Sequence, residues 1–325
     1  MQKVISIQAL SCIFPAIAAL LFACQSSTET PEKFSPTVIW EKHAVQAQAP
    51  GKKSIQFGIG PWDTHKQTKL YIGPLLQYLE EETGHHFVLN ISENYDELLI
   101  NFQNGHIDIA HLSANLYTEL LKQSPGTSHY LATVSELVNN TMTGHYRGVI
   151  FTHKKDNVEN LTSLKGKTFA FVDQGSSSGF KYPLALLINN GLEPQRDFSE
   201  IFYVGNHEAV AKAIATGQVF AGAIWEQGLT NAESTLGKVF NPIAKTPQIP
   251  REAWVGQSSM SPEFLESIQA ALVRLTPESR LKSGEKVFGE TAPFQGYVVK
   301  SESFYNVDGK TTATVGRYLE KYPIQ

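Results

Sequence analysis

The chain has 325 residues, 31 acidic against 27 basic side chains and a net charge near −4 at neutral pH. That balance excludes a general nucleic-acid binder, which concentrates Lys and Arg against phosphate, and a hydrophobic share of 42% with 18% charged residues excludes disorder by composition. The only cysteines, Cys12 and Cys24, sit near the start, which excludes a disulfide framework or a cysteine-rich metal site.

In chain order, Met1-Gln2-Lys3 carries one positive charge, Val4 to Ala23 is mostly apolar, and Leu21-Phe22-Ala23 precedes Cys24. Positive start, apolar stretch and small residue before a cut predict an export signal. The tetrapeptide resembles the bacterial lipoprotein box, although Phe22 is bulkier than usual there. That resemblance implies a signal peptide over residues 1–23 and lipidation of Cys24. An uncleaved anchor is the alternative, since about 20 apolar residues can span a bilayer; either way the remaining chain lies outside the cytoplasmic membrane. Residues 24–53 turn to Gln, Ser, Thr, Pro and Ala without apolar period and read as a flexible tether.

From Ser54 onward strand and helix patterns alternate. Ser54 to Gly60 reads as a strand ending at Gly60-Pro61. Tyr71, Ile72, Leu75, Leu76 and Leu79 then recur at helical spacing, with Gly84 as C-terminal cap and Pro74 marking a late start or a bend. Tyr95, Leu98, Leu99 and Phe102 repeat that spacing before a strand at Ile107 to Ala110. Gly148 to Thr152, Lys167 to Val172, Ile201 to Val204 and Val219 to Trp225 read as further strands. Short strands separated by helices predict βαβ units and a parallel sheet. The length predicts two α/β lobes, residues 54–146 plus 247–325 and residues 147–246, with the ligand cleft between them.

Two strand-to-helix turns carry the chemistry. Asp173-Gln174-Gly175-Ser176-Ser177-Ser178-Gly179 leads from the strand Phe169-Ala170-Phe171-Val172 into the helix of Leu184, Leu186, Leu187 and Ile188. The first N–H groups of a helix lack intrahelical partners and carry partial positive charge, so three hydroxyls beside two glycines suit an oxyanion. Because Pro183 cannot sit deep in a helix, the regular helix is expected to begin near Phe180 to Lys181, with the serines in the turn before it. The second turn is Gly205-Asn206-His207-Glu208. Both turns belong at the carboxyl edge of the strands, where ligands bind in parallel α/β sheets, and His207 can donate to an anion. His85-His86, His106, Asp108 and His111 form no compact metal set, because positions 106 and 108 share a strand face that 111 does not; no metal and no cofactor are expected.

Leu164 to Phe171, the Ser176-Ser177-Ser178-Gly179 turn, Pro183 and Gly205-Asn206-His207-Glu208 together resemble the phosphonate and phosphite substrate-binding proteins of ABC importers. Upstream, Tyr78-Leu79-Glu80, Asn94-Tyr95, Gly105 to Ala110, Tyr117 and Gly144-His145-Tyr146 extend the resemblance, which covers about Ile55 to Trp225 and more loosely Phe294 to Tyr305. It implies the type II periplasmic binding protein fold, two α/β lobes closing on a ligand. It also implies that the oxyanion is held by Ser176, Ser177, Ser178, His207, Tyr95 and Tyr146. Two departures stand out. Phe220 replaces an acid in Gly217-Gln218-Val219-Phe220, leaving Glu226 as the nearby carboxylate, and Arg147 follows Tyr146 where the family usually has a neutral or small residue; Glu226 and Arg147 are therefore further candidates.

The expected function is that of a monomeric, lipid-anchored receptor that captures a small phosphorus oxyanion and delivers it to an ABC permease, in the periplasm or at the cell surface. A sensor subunit working with a histidine kinase is the alternative from the same fold. A phosphoester hydrolase with a serine nucleophile lacks an evident base or metal.

Overall fold

The computed structural model describes residues 54–138, 141–290, 292–306 and 309–323. The expected signal peptide, Cys24 and the tether lie outside the described residues. The strands are β1 Ser54–Ile59, β2 His86–Ile91, β3 Ile109–Leu112, β4 Ser128–Val138, β5 Thr141–Thr143, β6 His145–Tyr146 and β7 Gly148–His153. They continue with β8 Thr168–Phe171, β9 Glu200–Tyr203, β10 Ala221–Trp225, β11 Phe240–Lys245, β12 Ile249–Pro250, β13 Ala253–Gln257 and β14 Gly296–Val298. The helices are α1 His65–Thr83, α2 Tyr95–Gln103, α3 Ala114–Gln123, α4 Tyr182–Asn189, α5 Pro194–Asp197, α6 His207–Ala215, α7 Glu226–Leu236, α8 Pro262–Arg274 and α9 Gly309–Lys321.

Two sheets form two lobes. The first has the order β14-β4-β13-β3-β1-β2, with β5 paired to β4; the second has the order β11-β7-β10-β8-β9. The expected parallel arrangement is present only at one end of each sheet. β1 runs parallel to β2 and β3, and β8 runs parallel to β9 and β10, but β13, β4, β14, β7 and β11 join antiparallel. The reason is topological: a chain that returns to a sheet from the other lobe enters from the opposite end and needs no crossover helix.

Helices α1, α2, α3, α6 and α8 each start where a side chain satisfies a free N–H. Thr64, Asn94, Ser113, Asn206 and Ser261 accept from the amides of Gln67, Glu97, Leu116, Ala209 and Phe264. Helix α1 begins nine residues before Pro74 and runs through it. The N–H that proline lacks would have met the carbonyl of Leu70, a residue 58% exposed, so the missing bond falls on the solvent side of the helix. The cap at Gly84 has φ +71° and donates to Glu80 O, as the glycine predicts. Tyr71, Ile72, Leu75, Leu76 and Leu79 pack with α8 residues Leu265, Ile268 and Leu272 around Phe57 and Trp254.

The chain crosses between sheets first through β6 and again through β12, and these two short strands pair antiparallel, Tyr146 opposite Ile249 and His145 opposite Pro250. A further crossing corrects the expected division of the chain, in which residues 247–325 stayed with the first lobe. After β14 the chain returns to the second lobe, where α9 buries Val315 and Tyr318 with Phe169, Phe171, Leu184 and Leu187. The Tyr318 hydroxyl accepts from Gln195 N at 2.9 Å and the Tyr322 hydroxyl donates to Glu193 at 2.9 Å, which fastens α9 there.

Candidate functional site

Between the sheets lies a cavity of about 50 Å³ lined by the ends of the parallel strands and by both crossings. A single water needs roughly 10–15 Å³ by the same measure, so there is room for a handful of heavy atoms. Gly60 and Trp62 follow β1, His111 and Ser113 end β3, Ser176 to Ser178 follow β8, His207 follows β9, and Trp225 ends β10. Tyr95 opens α2, Tyr146 sits in the first crossing, and Arg251 and Glu252 sit in the second. The carboxyl-edge rule thus accounts for most of the lining.

The serine turn is itself helical, contrary to expectation. Ser177–Lys181 forms one π-helical turn, in which Lys181 N donates to Ser176 O at 3.1 Å and Tyr182 N donates to Ser177 O, before α4 begins at Tyr182 with Pro183 in its first turn. The serines therefore belong partly to the helical turn itself. The wider turn turns all three hydroxyls toward buried surroundings, a device found at functional sites. Ser176 Oγ accepts from Gly179 N at 3.0 Å. A Cβ on Gly179 would come within 2.4 Å of Val172, and one on Gly175 within 2.3 Å of Tyr95, so glycine lets the turn lie against its own strand and the first lobe.

The same turn joins the lobes. Asn115 N donates to Ser177 Oγ at 2.9 Å, Ser113 Oγ donates to Gly175 O at 2.7 Å, and Asn115 Nδ2 donates to Gln174 O at 2.9 Å. With its oxygen accepting from Asn115, the Ser177 hydroxyl has its proton left to donate on the cavity side, where the Tyr146 phenol lies within reach.

Burial sets the protonation of the wall. It pushes His207 down to about 3, and burial with the Arg251 charge does the same to His111, so both imidazoles are neutral. Burial raises Tyr95 and Tyr146 despite hydrogen bonding of Tyr95 to Ser176 and of Tyr146 to Ser178 and Ser177, so both phenols keep their protons. Buried and unpaired at this cavity are Trp62 Nε1, His111 Nδ1, His207 Nδ1 and Arg251 Nε. Unsatisfied polar atoms in such number at one place call for a polar occupant. Arg251, 3% exposed, bonds Glu136 of β4 through Nη2, lies over the Tyr146 ring at 5.3 Å, and has its carbonyl held by the Tyr305 hydroxyl at 3.2 Å.

A family model described as ABC transporter, phosphonate, periplasmic substrate-binding protein matches residues 57–305. The chain belongs to that family. Phosphonate-family relatives agree in sequence and fold. The phosphate-import protein PhnD of Mycolicibacterium smegmatis is 22% identical over 244 residues, spanning 72% of this chain and 74% of that protein. The PhnD1 structure from Prochlorococcus marinus in complex with methylphosphonate superposes with a TM-score of 0.72 at 17% identity, covering 83% of this chain and 99% of that one. A binding protein component of an ABC phosphonate transporter from Pseudomonas aeruginosa gives 0.72 at 18% identity, covering 82% and 88%. Membership of a periplasmic substrate-binding family makes the chain an extracytoplasmic transport component with the two-lobe fold.

Within this frame the structure brings Tyr95, Tyr146, Ser176, Ser177, Ser178 and His207 to one cavity. Arg147 and Glu226 are placed elsewhere. Arg147 donates to Thr246 O at 2.6 Å, Glu226 pairs with Lys245 among exposed side chains, and both line a neighbouring groove. Phe220 lies outside the cavity too, beneath Lys167 before β10 begins, so an acid at that position would not face a ligand here. Sequence reasoning missed Trp62, Ser113, Trp225, Arg251 and Glu252 as lining residues, and considered His111 only as a metal ligand. Position at a strand's carboxyl end would have marked His111, Ser113 and Trp225. Among the described residues, no group of three or more His, Cys, Asp or Glu converges to hold a metal.

Proposed function

We propose that this chain is a lipid-anchored receptor that captures a small phosphorus oxyanion, of the phosphonate or phosphite class, and presents it to an ABC permease. The observation that carries the ligand class is the set of buried, unpaired polar atoms on Trp62, His207 and Arg251 beside three serines and two protonated phenols. Each unpaired buried group costs roughly 1–3 kcal/mol, which an oxyanion accepting from several of them recovers on binding. Sequence alone pointed to neutral donors; Arg251 adds a charge, partly offset by Glu136. Fast release is preserved by that offset, since a fully unpaired guanidinium would hold the anion far more strongly. Hinge closure through the paired β6 and β12 crossings presents the loaded form to the membrane partner.

Lipid attachment at Cys24, a monomeric state and the permease as partner are parts of the same reading, supported by the Leu21 to Cys24 tetrapeptide and by the family. A serine hydrolase is disfavoured because Ser177 Oγ already accepts from Asn115 N and His207 Nδ1 has no serine partner. Isothermal titration of the purified chain against methylphosphonate, phosphite, phosphate, arsenate and sulfate tests the ligand class, and binding to none of them would sink it. Mass spectrometry of the N-terminal peptide tests the anchor: a diacylglyceryl adduct on Cys24 is expected. Co-purification with a histidine kinase and no permease would favour the sensor.

A further inference from the structure

The three hydrogen bonds that join the lobes all meet where the serine turn rests on the first turn of α3. Ser113 and Ser177 line the cavity, whereas Asn115 and Gln174 line a separate groove behind the serine turn, together with Asp96 and Gly175. Ser113 caps α3 through Leu116 N, and the N–H of Asn115, one residue into the helix, has no intrahelical acceptor. Ser177 Oγ supplies that acceptor from across the cleft at 2.9 Å, and the Asn115 side chain adds a second bond to Gln174 O at 2.9 Å. One hydroxyl thus serves both the lobe contact, through its oxygen, and the cavity, through its proton. Hydrogen bonds in such a chain polarise one another, so a group accepting the Ser177 proton strengthens the lobe contact, and the contact strengthens Ser177 as a donor. Asp96 works the other way. It lies in the first turn of α2 and adds negative charge at Asp173, the residue that opens the serine turn on the opposite lobe and accepts from Gly175 N at 2.8 Å.

We propose that Asn115 and Asp96 form an opposed pair that sets how long the lobes stay shut: Asn115 latches the serine turn onto α3, and Asp96 repels it. Neither side chain lines the cavity, so both are positioning residues that act through the serine turn. A latch that bypasses the ligand raises the population of the binding-competent form, and apparent affinity follows that population by one common factor for every ligand the site accepts. Selectivity is then left to the cavity wall, while the time a ligand is held is set outside it. The inference rests on the proposed capture of an oxyanion by closing lobes and adds the groups that time its release.

The test combines calorimetry and stopped-flow release of methylphosphonate, phosphite and phosphate from the detergent-purified full chain with amide hydrogen exchange at Asn115, read by mass spectrometry. In the wild type saturated with methylphosphonate, the Asn115 amide should exchange at least about tenfold more slowly than an unstructured amide. Asn115→Ala keeps a good helix former in α3, so its melting temperature should not fall. It should nevertheless speed release about threefold and weaken all three ligands by that same factor. Asp96→Asn should slow release about twofold, again equally for the three. Wild-type release rates in both variants, or a loss confined to one ligand, overturn the latch while leaving the oxyanion site intact. A freely exchanging Asn115 amide in the loaded wild type does the same and needs no variant. A wild type that binds none of the three overturns the oxyanion reading instead. The latch is then read without ligand, from slower exchange at Asn115 in Asp96→Asn than in the wild type, and equal exchange overturns it.

Discussion

The second lobe faces the cavity with a serine turn, one imidazole and Trp225, whereas the first lobe and the second crossing face it with Tyr95, Trp62, His111, Arg251 and Glu252. The serine wall is continuous in sequence. It depends on local backbone geometry, a π turn capped by Ser176 and followed by Pro183. The opposite wall is assembled from residues almost 200 positions apart, from Gly60 to Glu252, and its charged pair is fixed by tertiary contacts with Glu136 and Tyr305. The first kind of wall supplies neutral donors at little cost in desolvation; the second supplies charge and selectivity and depends on the whole fold.

Breaking the assembled wall should have the largest effect. Arg251→Ala leaves Glu136 without its cation and removes the charged donor. Oxyanion binding measured by calorimetry should be lost, with about 3 kcal/mol of destabilisation in urea melts, the lower end for a broken ion pair because Glu136 keeps some solvent. Wild-type affinity in that variant would make the first-lobe wall a passive surface.

The two imidazoles offer a comparison across walls through pH. In the folded chain both stay unprotonated down to about 3, while in the unfolded chain they bind protons below 6.5. Stability is therefore full above pH 6.5 and falls as pH drops toward 3, with a slope of up to about 1.4 kcal/mol per pH unit for each ring. Denaturant melts between pH 7 and pH 5 should show a slope reduced by one ring's share in His207→Gln; an unchanged slope would mean that His207 is protonated when folded.

On the serine wall, Ser177→Ala and His207→Ala should each weaken binding by roughly 1–3 kcal/mol, read by the same titrations. Wild-type affinity in both would move the site elsewhere. Smallest of all, Arg147→Ala and Glu226→Gln should change affinity by less than about 0.5 kcal/mol, since the Glu226 to Lys245 pair is exposed and Arg147 is spent on a backbone carbonyl. A tenfold loss in either would bring the neighbouring groove into the site.

This difference between walls also explains what was legible beforehand. The serine turn and His207 announce themselves because cap residues, glycines and strand ends are local signals. Tyr95 read equally well as an apolar position of a helical stripe, since it is both a core residue of α2 and a cavity phenol. Arg251 was invisible because nothing nearby in sequence shows that Glu136 lies opposite it. The two lobes followed from periodicity, but the antiparallel strands and the destination of α9 did not. Val315 and Tyr318 fit an amphipathic stripe whichever sheet they cover, and only the packing against Leu184 and Leu187 decides.

That last helix divides the molecule mechanically. The chain enters the folded part through β1 of the first lobe and finishes on α9 against the second. The two ends of the described chain therefore sit on different lobes. Any closing motion must flex the segment between β14 and α9 as well as the paired β6 and β12 strands. A dye at the far end of α9, paired with one on the first lobe, would thus report a movement of one lobe against the other with no label near the cavity.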